Sequence, residues 1–388
     1  MEDIILFYSE NNVDPKFDHV YYRNKYPETN GYYQPFCKLN GISEQARLYF
    51  HWHLYGSKAD YDMFKPDVTK VLESIDNQEN IDDVINKNKD LIHELTNRKV
   101  DISPKLQSRA GVIYCFNKDF TEGFFVSIGS FVLNNQTIID QIDFYIYVDE
   151  TVKCIESNIV EFLDKLKINY NIIYVETILN DTDTNLDELK EDYGFKCYIK
   201  LDKSAYYRIY ALRHLLSNHG NASRYSKLLY LDSDTVVNSN LFELFYQHNE
   251  AILYAQRDTI IDLIELSINH NNLGDYFNSG VMLFNVDGKN INLVRGRIKN
   301  CIDIIGNDKE SLYYHDQCAL NKAFNNQWHK LDPSYNVLKK NLDYGKILHY
   351  TTSPKIWQDD YTFDQSSTFH QTWFMYNRII QAIWRYPQ

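Results

Sequence analysis

The hydrophobic pattern changes character twice along the chain. Residues 1–65 are aromatic-rich. Within them the run Ala46, Arg47, Leu48, Tyr49, Phe50, His51, Trp52, His53, Leu54, Tyr55 suits a helix stopped by Gly56, glycine being the residue that accepts a left-handed helix end. From 66 to 108 apolar residues recur at helical spacing: Val68, Val71, Leu72, Ile75, then Ile81, Val84, Ile85, then Leu91, Ile92, Leu95. This predicts a helical connector packed on a neighbouring domain. A dimerising coiled coil is the sharper alternative, but residues 76–80 break the heptads. From 109 short apolar runs alternate with amphipathic ones. Strands are expected at 111–116, 142–148, 170–175 and in a run ending at Asp232; helices are expected at 124–133, 155–166 and 206–216. That alternation builds a mostly parallel sheet with helices on both faces. After 360, Trp373, Phe374, Tyr376, Ile379, Ile380, Ile383 and Trp384 predict a terminal amphipathic helix. Few basic residues flank it, so packing on protein is expected rather than membrane contact.

The length of 388 residues allows more than one domain. A net charge of −13 argues against a nucleic-acid partner, which needs a basic footprint. It leaves room for a small anionic ligand held by a metal and a few local cations. Cysteines 37, 115, 154, 197, 301 and 318 form no CxxC pair in a chain too long to need a disulfide framework, so reduced, mostly buried thiols are expected. No run approaches the ~18 apolar residues of a membrane span. The acidic start Met1-Glu2-Asp3 lacks the basic opening of a secretory signal, so the expected location is soluble and cytoplasmic. His51 and His53 are two apart, on different helix faces, with no third ligand in view; they read as packing and surface residues.

The candidate chemistry starts at Leu228, Leu229, Tyr230 and Leu231, an unbroken apolar run with the pattern of a strand buried on both faces. It ends in Asp232-Ser233-Asp234. Ligands in open α/β sheets collect beyond such strand ends, and two carboxylates there can hold a divalent cation that bridges to nucleotide phosphates. Alone the pair is a weak signal, because Asp at a strand end also caps helices. Four further segments carry more: Tyr206-Tyr207-Arg208 on the helix before that strand, Phe277-Asn278-Ser279-Gly280-Val281 as a small polar turn entering an apolar strand, His315-Asp316-Gln317-Cys318-Ala319-Leu320-Asn321, and His349-Tyr350 followed by Lys355 and Trp357. No GxGxxG follows the first strand, which disfavours a nicotinamide cofactor.

In order and spacing, LYLDxD, FNSGV, DQxxLN and HYxxxxKxW resemble the family 8 retaining glycosyltransferases over about residues 110–360. The resemblance implies a GT-A type nucleotide-diphospho-sugar transferase fold, an α/β architecture. It implies a metal-dependent, retaining hexosyltransferase using a UDP-sugar, with UDP-glucose the first choice of donor and UDP-galactose the second. The acceptor would be a hydroxyl of a glycan or a protein. Mn²⁺ is the implied cofactor, with Mg²⁺ second, since an imidazole donor favours the softer ion. The pattern FDxxYYxxxYP from Phe17 to Pro27, with Gly56 later, resembles a small helical module found beside sugar-transferring domains. The expected organisation is therefore this module at 1–65, a connector at 66–108, a catalytic domain at 109–360 and a helical tail at 361–388. A homodimer is compatible with it. The Asn- and Tyr-rich composition suits a large DNA virus, with a virus-factory location, or an AT-rich microbe.

Carried across position by position, the resemblance makes Asp232, Asp234 and His349 the metal ligands, with Ser233 between the carboxylates. Lys355 would meet the donor diphosphate and Arg208 would lie near the donor. Asn117, with Tyr114 and Phe116 beside it, would contact the nucleoside, although relatives often carry Thr where Phe116 stands. Phe120 would stack on the base or serve the core. Asn278 and Ser279 would face the donor sugar, and Asp258 would hold its hydroxyls. Asp316 and Gln317 would lie beneath the anomeric carbon. The relatives often read GxxKPW, whereas Pro354 here precedes Lys355, so a different backbone path is expected. Retention admits a double displacement by Asp316 or Gln317, or a same-face substitution in which the leaving phosphate accepts the acceptor proton. The second is favoured because an amide is a poor nucleophile. Two rivals stand beside this reading. One is a catalytically silent sugar-nucleotide or glycan-binding protein. The other is a nucleotidyltransferase, disfavoured because Phe116-Asn117-Lys118-Asp119-Phe120 lacks the Gly-rich basic loop.

Overall fold

The structure is a computed structural model that describes residues 106, 108–179, 203–217, 224–258, 276–307, 312, 314–338, 345–352, 354–358, 361 and 367–385. The 1–65 module with His51 and His53, nearly all of the 66–108 connector, Cys37 and Cys197 lie outside the described residues.

Seven strands form one sheet in the order β3-β2-β1-β4-β7-β6-β8. They are β1 (Arg109–Phe116), β2 (Ile142–Val148), β3 (Asn169–Tyr174), β4 (Tyr225–Leu231), β6 (Leu253–Arg257), β7 (Phe277–Asn285) and β8 (Trp328–Lys330). Only β7 runs against its neighbours, antiparallel to both β4 and β6. The sheet is mixed and mostly parallel, as expected. Residues alternate between the two faces. Val112, Tyr114, Phe116, Leu229 and Leu231 enter one core cluster, and Ile113, Cys115, Leu228 and Tyr230 enter the other. Each fully buried Leu of β4 contributes roughly 1.5–3 kcal/mol, and the stretch Leu228–Leu231 is buried throughout.

Helices α1 (Thr121–Asn134) and α2 (Glu156–Leu166) cover one face; α3 (Ser204–Leu216), α5 (Asn290–Asn307) and α6 (His315–Ala323) cover the other, and the short α4 (Phe242–Gln247) precedes β6 in sequence. A second sheet pairs β5 (Thr235–Val237) with β9 (Ile347–His349) antiparallel. The terminal helix α7 (Thr368–Arg385) packs on α1 and α2. Ile380 and Ile383 are buried there, and the Trp384 ring lies 4.7 Å from Phe125 and 5.5 Å from Phe162. Among the described residues no helix is long and apolar enough to cross a membrane, and Cys115, Cys301 and Cys318 are buried free thiols while Cys154 is exposed.

Two local expectations need correction. Asn278-Ser279-Gly280 is not a turn before a strand; all three lie inside β7, at the irregularity in its pairing with β6 and just ahead of its register with β4. Their polarity, unusual for a central strand, made them read as loop. The third strand begins and ends one residue earlier than expected, at Asn169 and Tyr174.

Candidate functional site

β4 delivers Asp232 and Asp234 to the carboxyl edge of the sheet. The chain turns at once, with the Thr235 amide and hydroxyl both donating to the Asp232 carbonyl (3.3 and 2.8 Å). It then enters β5. Thr235 is the register partner of His349 in β9, and the Tyr350 amide donates to the Asp234 carbonyl at 2.9 Å. Strand pairing thus brings together residues more than a hundred positions apart. His349 Nε2 lies 3.1 Å from Asp234 Oδ1 and 3.5 Å from Asp232 Oδ2, and one ligand atom from each of the three fits within 4.8 Å.

Three observations fit this triad to a divalent cation. Asp234 Oδ1 is buried with no well-aligned hydrogen bond, its ion-pair neighbour being His349 Nε2 at 3.1 Å, and a cation between the two atoms would complete both. Gly280 of β7 lies directly opposite, its carbonyl accepting from the Asp232 amide at 2.8 Å. A Cβ there would overlap the His349 ring and stand 2.7 Å from Asp232 Oδ2, so only glycine leaves the space. The donors, two carboxylates and an imidazole, suit Mn²⁺ or a similar ion.

The electrostatics agree. Burial pushes the Asp234 carboxyl up, but Lys355 and His349 outweigh it and hold the group well below the usual carboxylate range. Burial opposes charge on His349, yet Asp234 and Asp232 raise its pKa to about 9, so a proton and the Lys355 ammonium supply the positive charge these carboxylates call for. Lys355 Nζ donates to Asp234 Oδ2 at 2.5 Å and to the Tyr350 carbonyl at 3.3 Å.

Arg208, from α3, is buried. Its guanidinium pairs with Asp232 Oδ1 (2.9 Å) and Asp316 Oδ2 (3.2 Å), donates to the Ser279 carbonyl (2.8 Å) and lies over the Tyr230 ring. Asp316, 3% exposed, also accepts from Ser279 Oγ at 3.3 Å. Burial pushes its carboxyl up to about 6 against the pull of Arg208. Gln317 is committed at both ends: Oε1 accepts from the Ser279 amide (2.9 Å) and Nε2 donates to Asp258 Oδ2 (3.1 Å). Asn278 Nδ2 also donates to Asp258 Oδ2, at 3.2 Å. Immediately before Asp316, His315 adopts φ 46°, a conformation that β-carbon sterics penalise and that is found at functional sites; its Nδ1 meets the Tyr206 hydroxyl at 3.1 Å.

Asp232, Asp234, His349, Lys355, Arg208, Asp316, Gln317, Ser279, Asn278 and Asp258 therefore form one connected polar web. Ser233 is buried in the turn, its carbonyl close against Gly123 of α1. Phe120 is half-buried, edge-on to Trp357, with Lys355 Nζ 5.8 Å above its ring. Asn117 caps the 3₁₀ turn Lys118–Phe120 by accepting from the Asp119 amide at 3.0 Å. The Tyr114 and Phe116 side chains are fully buried core, Phe116 stacked on Phe124 and the Tyr114 hydroxyl bonded to Ser127.

The loop of Lys355 departs from a phosphate cradle. The Lys355 amide donates to Gln358 Oε1 at 2.6 Å, and Trp357 Nε1 donates to the Asp119 carbonyl at 3.2 Å. Sequence reasoning missed Asn336 and Gly280 as site residues. Asn336 Oδ1 meets His349 Nδ1 at 3.0 Å. A signal for Gly280 existed, since a glycine inside an apolar strand marks a close approach.

A family model described as glycosyl transferase family 8 matches residues 111–361. Glycosyltransferase GlyB of Streptococcus pneumoniae serotype 4 is 26% identical over 183 residues, 41% of this chain and 40% of that protein. Glycosyltransferase GlyA of the same organism is 30% identical over 167 residues, 39% of this chain and 22% of that protein. The chain thus matches less than half the length of these curated relatives. Among solved structures, galactosyltransferase LgtC in complex with donor and acceptor sugar analogs aligns with TM-score 0.52 at 17% identity, over 69% of this chain and 95% of that one. A likeness of that degree concerns the fold.

Proposed function

Because the chain belongs to glycosyl transferase family 8 and has its GT-A fold, we propose that it is a metal-dependent, retaining hexosyltransferase. It takes a hexose from a UDP-sugar, glucose first and galactose second, and transfers it to a hydroxyl of a glycan or protein. The observation that carries this reading is the Asp232–Asp234–His349 cluster, closed around Gly280 and bordered by Lys355.

Asp232, Asp234 and His349 would hold Mn²⁺, or Mg²⁺ as second choice; when bound, the ion supplies Lewis-acid stabilisation to the departing diphosphate. Lys355, on a short loop beside Asp234, adds a compact positive charge where the diphosphate leaves. Arg208 does not reach outward: its contacts with Asp232 and Asp316 hold both carboxylates in place. Asn278, Ser279 and Asp258 line the sugar side, and Phe120 with Asn117 lies on the nucleoside side, where Tyr114 and Phe116 act as core.

The same-face route is favoured. Asp316 is committed to Arg208 and Ser279, and Gln317 is bonded at both ends. Neither presents a free nucleophile; both position the donor and stabilise charge. The catalytic unit is proposed to span 109–360, with 361–388 as a supporting tail. Hydrolysis of UDP-glucose and UDP-galactose, followed as UDP release with and without Mn²⁺, tests the reading. Metal-dependent release supports it. Tight UDP-sugar binding without turnover favours the silent binding protein instead.

A further inference from the structure

A chain of side-chain amides leads away from the metal cluster toward the sugar side. His349 Nδ1 faces Asn336 Oδ1 at 3.0 Å, Asn336 Nδ2 faces Asn278 Oδ1 at 2.9 Å, and Asn278 Nδ2 faces Asp258 Oδ2 at 3.2 Å. All of these residues are buried. Backbone pairing holds the arrangement. The His349 amide donates to the Val337 carbonyl at 3.0 Å, and the Val337 amide donates to the Ile347 carbonyl at 2.9 Å, so Asn336 is carried alongside β9.

The polarity of this chain is fixed by groups that cannot reverse. The Gly280 backbone N–H, a donor only, points at Asn278 Oδ1 at 3.0 Å, which makes that atom the oxygen. Asn278 then turns its NH₂ to the Asp258 carboxylate. Asn336 must donate to Asn278 Oδ1 and therefore turns its own oxygen to His349. An oxygen there accepts but does not donate, so His349 Nδ1 must carry hydrogen. The neutral imidazole then has its lone pair on Nε2, the nitrogen that faces Asp232 and Asp234.

Building on the metal reading above, we propose that Asn336 is a positioning residue: it fixes His349 in the tautomer whose Nε2 is bare toward the metal, and through Asn278 it ties that ligand to Asp258 and Gln317. Partners of this kind orient ligating histidines and set metal affinity by about 10–100-fold. The consequence is directional. The orientation of the metal ligand and of the sugar-facing carboxylate depend on one another through two amides.

The test is titration of the full chain with Mn²⁺ alone, reading free Mn²⁺ by electron paramagnetic resonance, beside the melting temperature of each metal-free protein. Asn336→Leu removes the acceptor and should weaken Mn²⁺ binding at least about tenfold. Asn336→Asp keeps an acceptor for Nδ1 but sets a second acceptor against Asn278 Oδ1. It should bind Mn²⁺ within about threefold of wild type while melting lower. A role in folding alone would rank both variants by melting temperature, and equal losses of metal affinity in the two would overturn the proposal. Unchanged affinity in Asn336→Leu would overturn it as well. If the Leu protein does not fold, Asn336→Ala, which also lacks an acceptor, takes its place with the same expectations. Wild-type protein that takes up no Mn²⁺ would sink the metal reading itself, a result distinct from wild-type binding that the variants leave untouched.

Discussion

At the scale of single residues, the site depends on atoms placed to within a few tenths of an ångström. Gly280→Ala would put a methyl group against the His349 ring and 2.7 Å from Asp232 Oδ2. The expected result is a loss of Mn²⁺ affinity of about tenfold or more with the far-ultraviolet circular dichroism unchanged; calorimetric titration showing wild-type affinity would count against the placement. Lys355→Ala removes the charge nearest Asp234 and should slow UDP release roughly a hundredfold, and unaltered turnover would take Lys355 out of the donor site. The two carboxylates, the imidazole, the lysine and the arginine were singled out by the resemblance of the motifs, and the structure brings their side chains together. Asn336 and Gly280 were not singled out. Asn336 acts through a hydrogen bond to His349, a role that leaves no charge or spacing to read, whereas Gly280 acts through the absence of a side chain, for which a glycine in an apolar strand was the one sign.

At the scale of elements, the ends of the strands in the parallel half of the sheet could be read to within one residue, since burial on both faces enforces unbroken apolar runs, whereas β1 and β4 begin earlier than their apolar runs, at Arg109 and Tyr225. β7 was misread at its start because three small polar residues occupy a central strand where the site needs them. The terminal helix was anticipated, along with its packing on protein; Ile380 is buried where α7 crosses α1 beside Gly129. Ile380→Ala should cost about 2–4 kcal/mol, measured as a shift in the urea midpoint. At the opposite end of β4, Lys227 is 1% exposed, bonded to Asn249 Oδ1 at 2.6 Å, and burial lowers its pKa to about 8. Between about 8 and its ordinary 10.5 the unfolded chain binds the extra proton, so stability from this group rises with pH across that window and the cost is fully present below it. Lys227→Met should therefore stabilise the protein by on the order of 1–3 kcal/mol at pH 7, with the difference shrinking by pH 10. A variant less stable at pH 7 would show that the Asn249 contact outweighs desolvation.

At the scale of the whole molecule, two sheets that meet at one edge explain why the site is where it is. The large sheet brings the carboxylates to the end of β4, and the small one folds β9 back so that His349 arrives from more than a hundred residues away. Periodicity indicated the first sheet. Strands of three residues, such as β5 and β9, are too short to show a period, so the meeting of His349 with the carboxylates could be expected only from the resemblance of the motifs. The proposed activity requires a single cation held by Asp232, Asp234 and His349 beside a diphosphate. Crystals soaked in Mn²⁺ and UDP, with anomalous diffraction collected at the manganese edge, test it most directly. The expected result is one strong peak within coordination distance of Asp232, Asp234 and His349 Nε2, with diphosphate oxygens completing the shell. A map with UDP bound and no peak between these three side chains, or with the ion held elsewhere, would contradict the account.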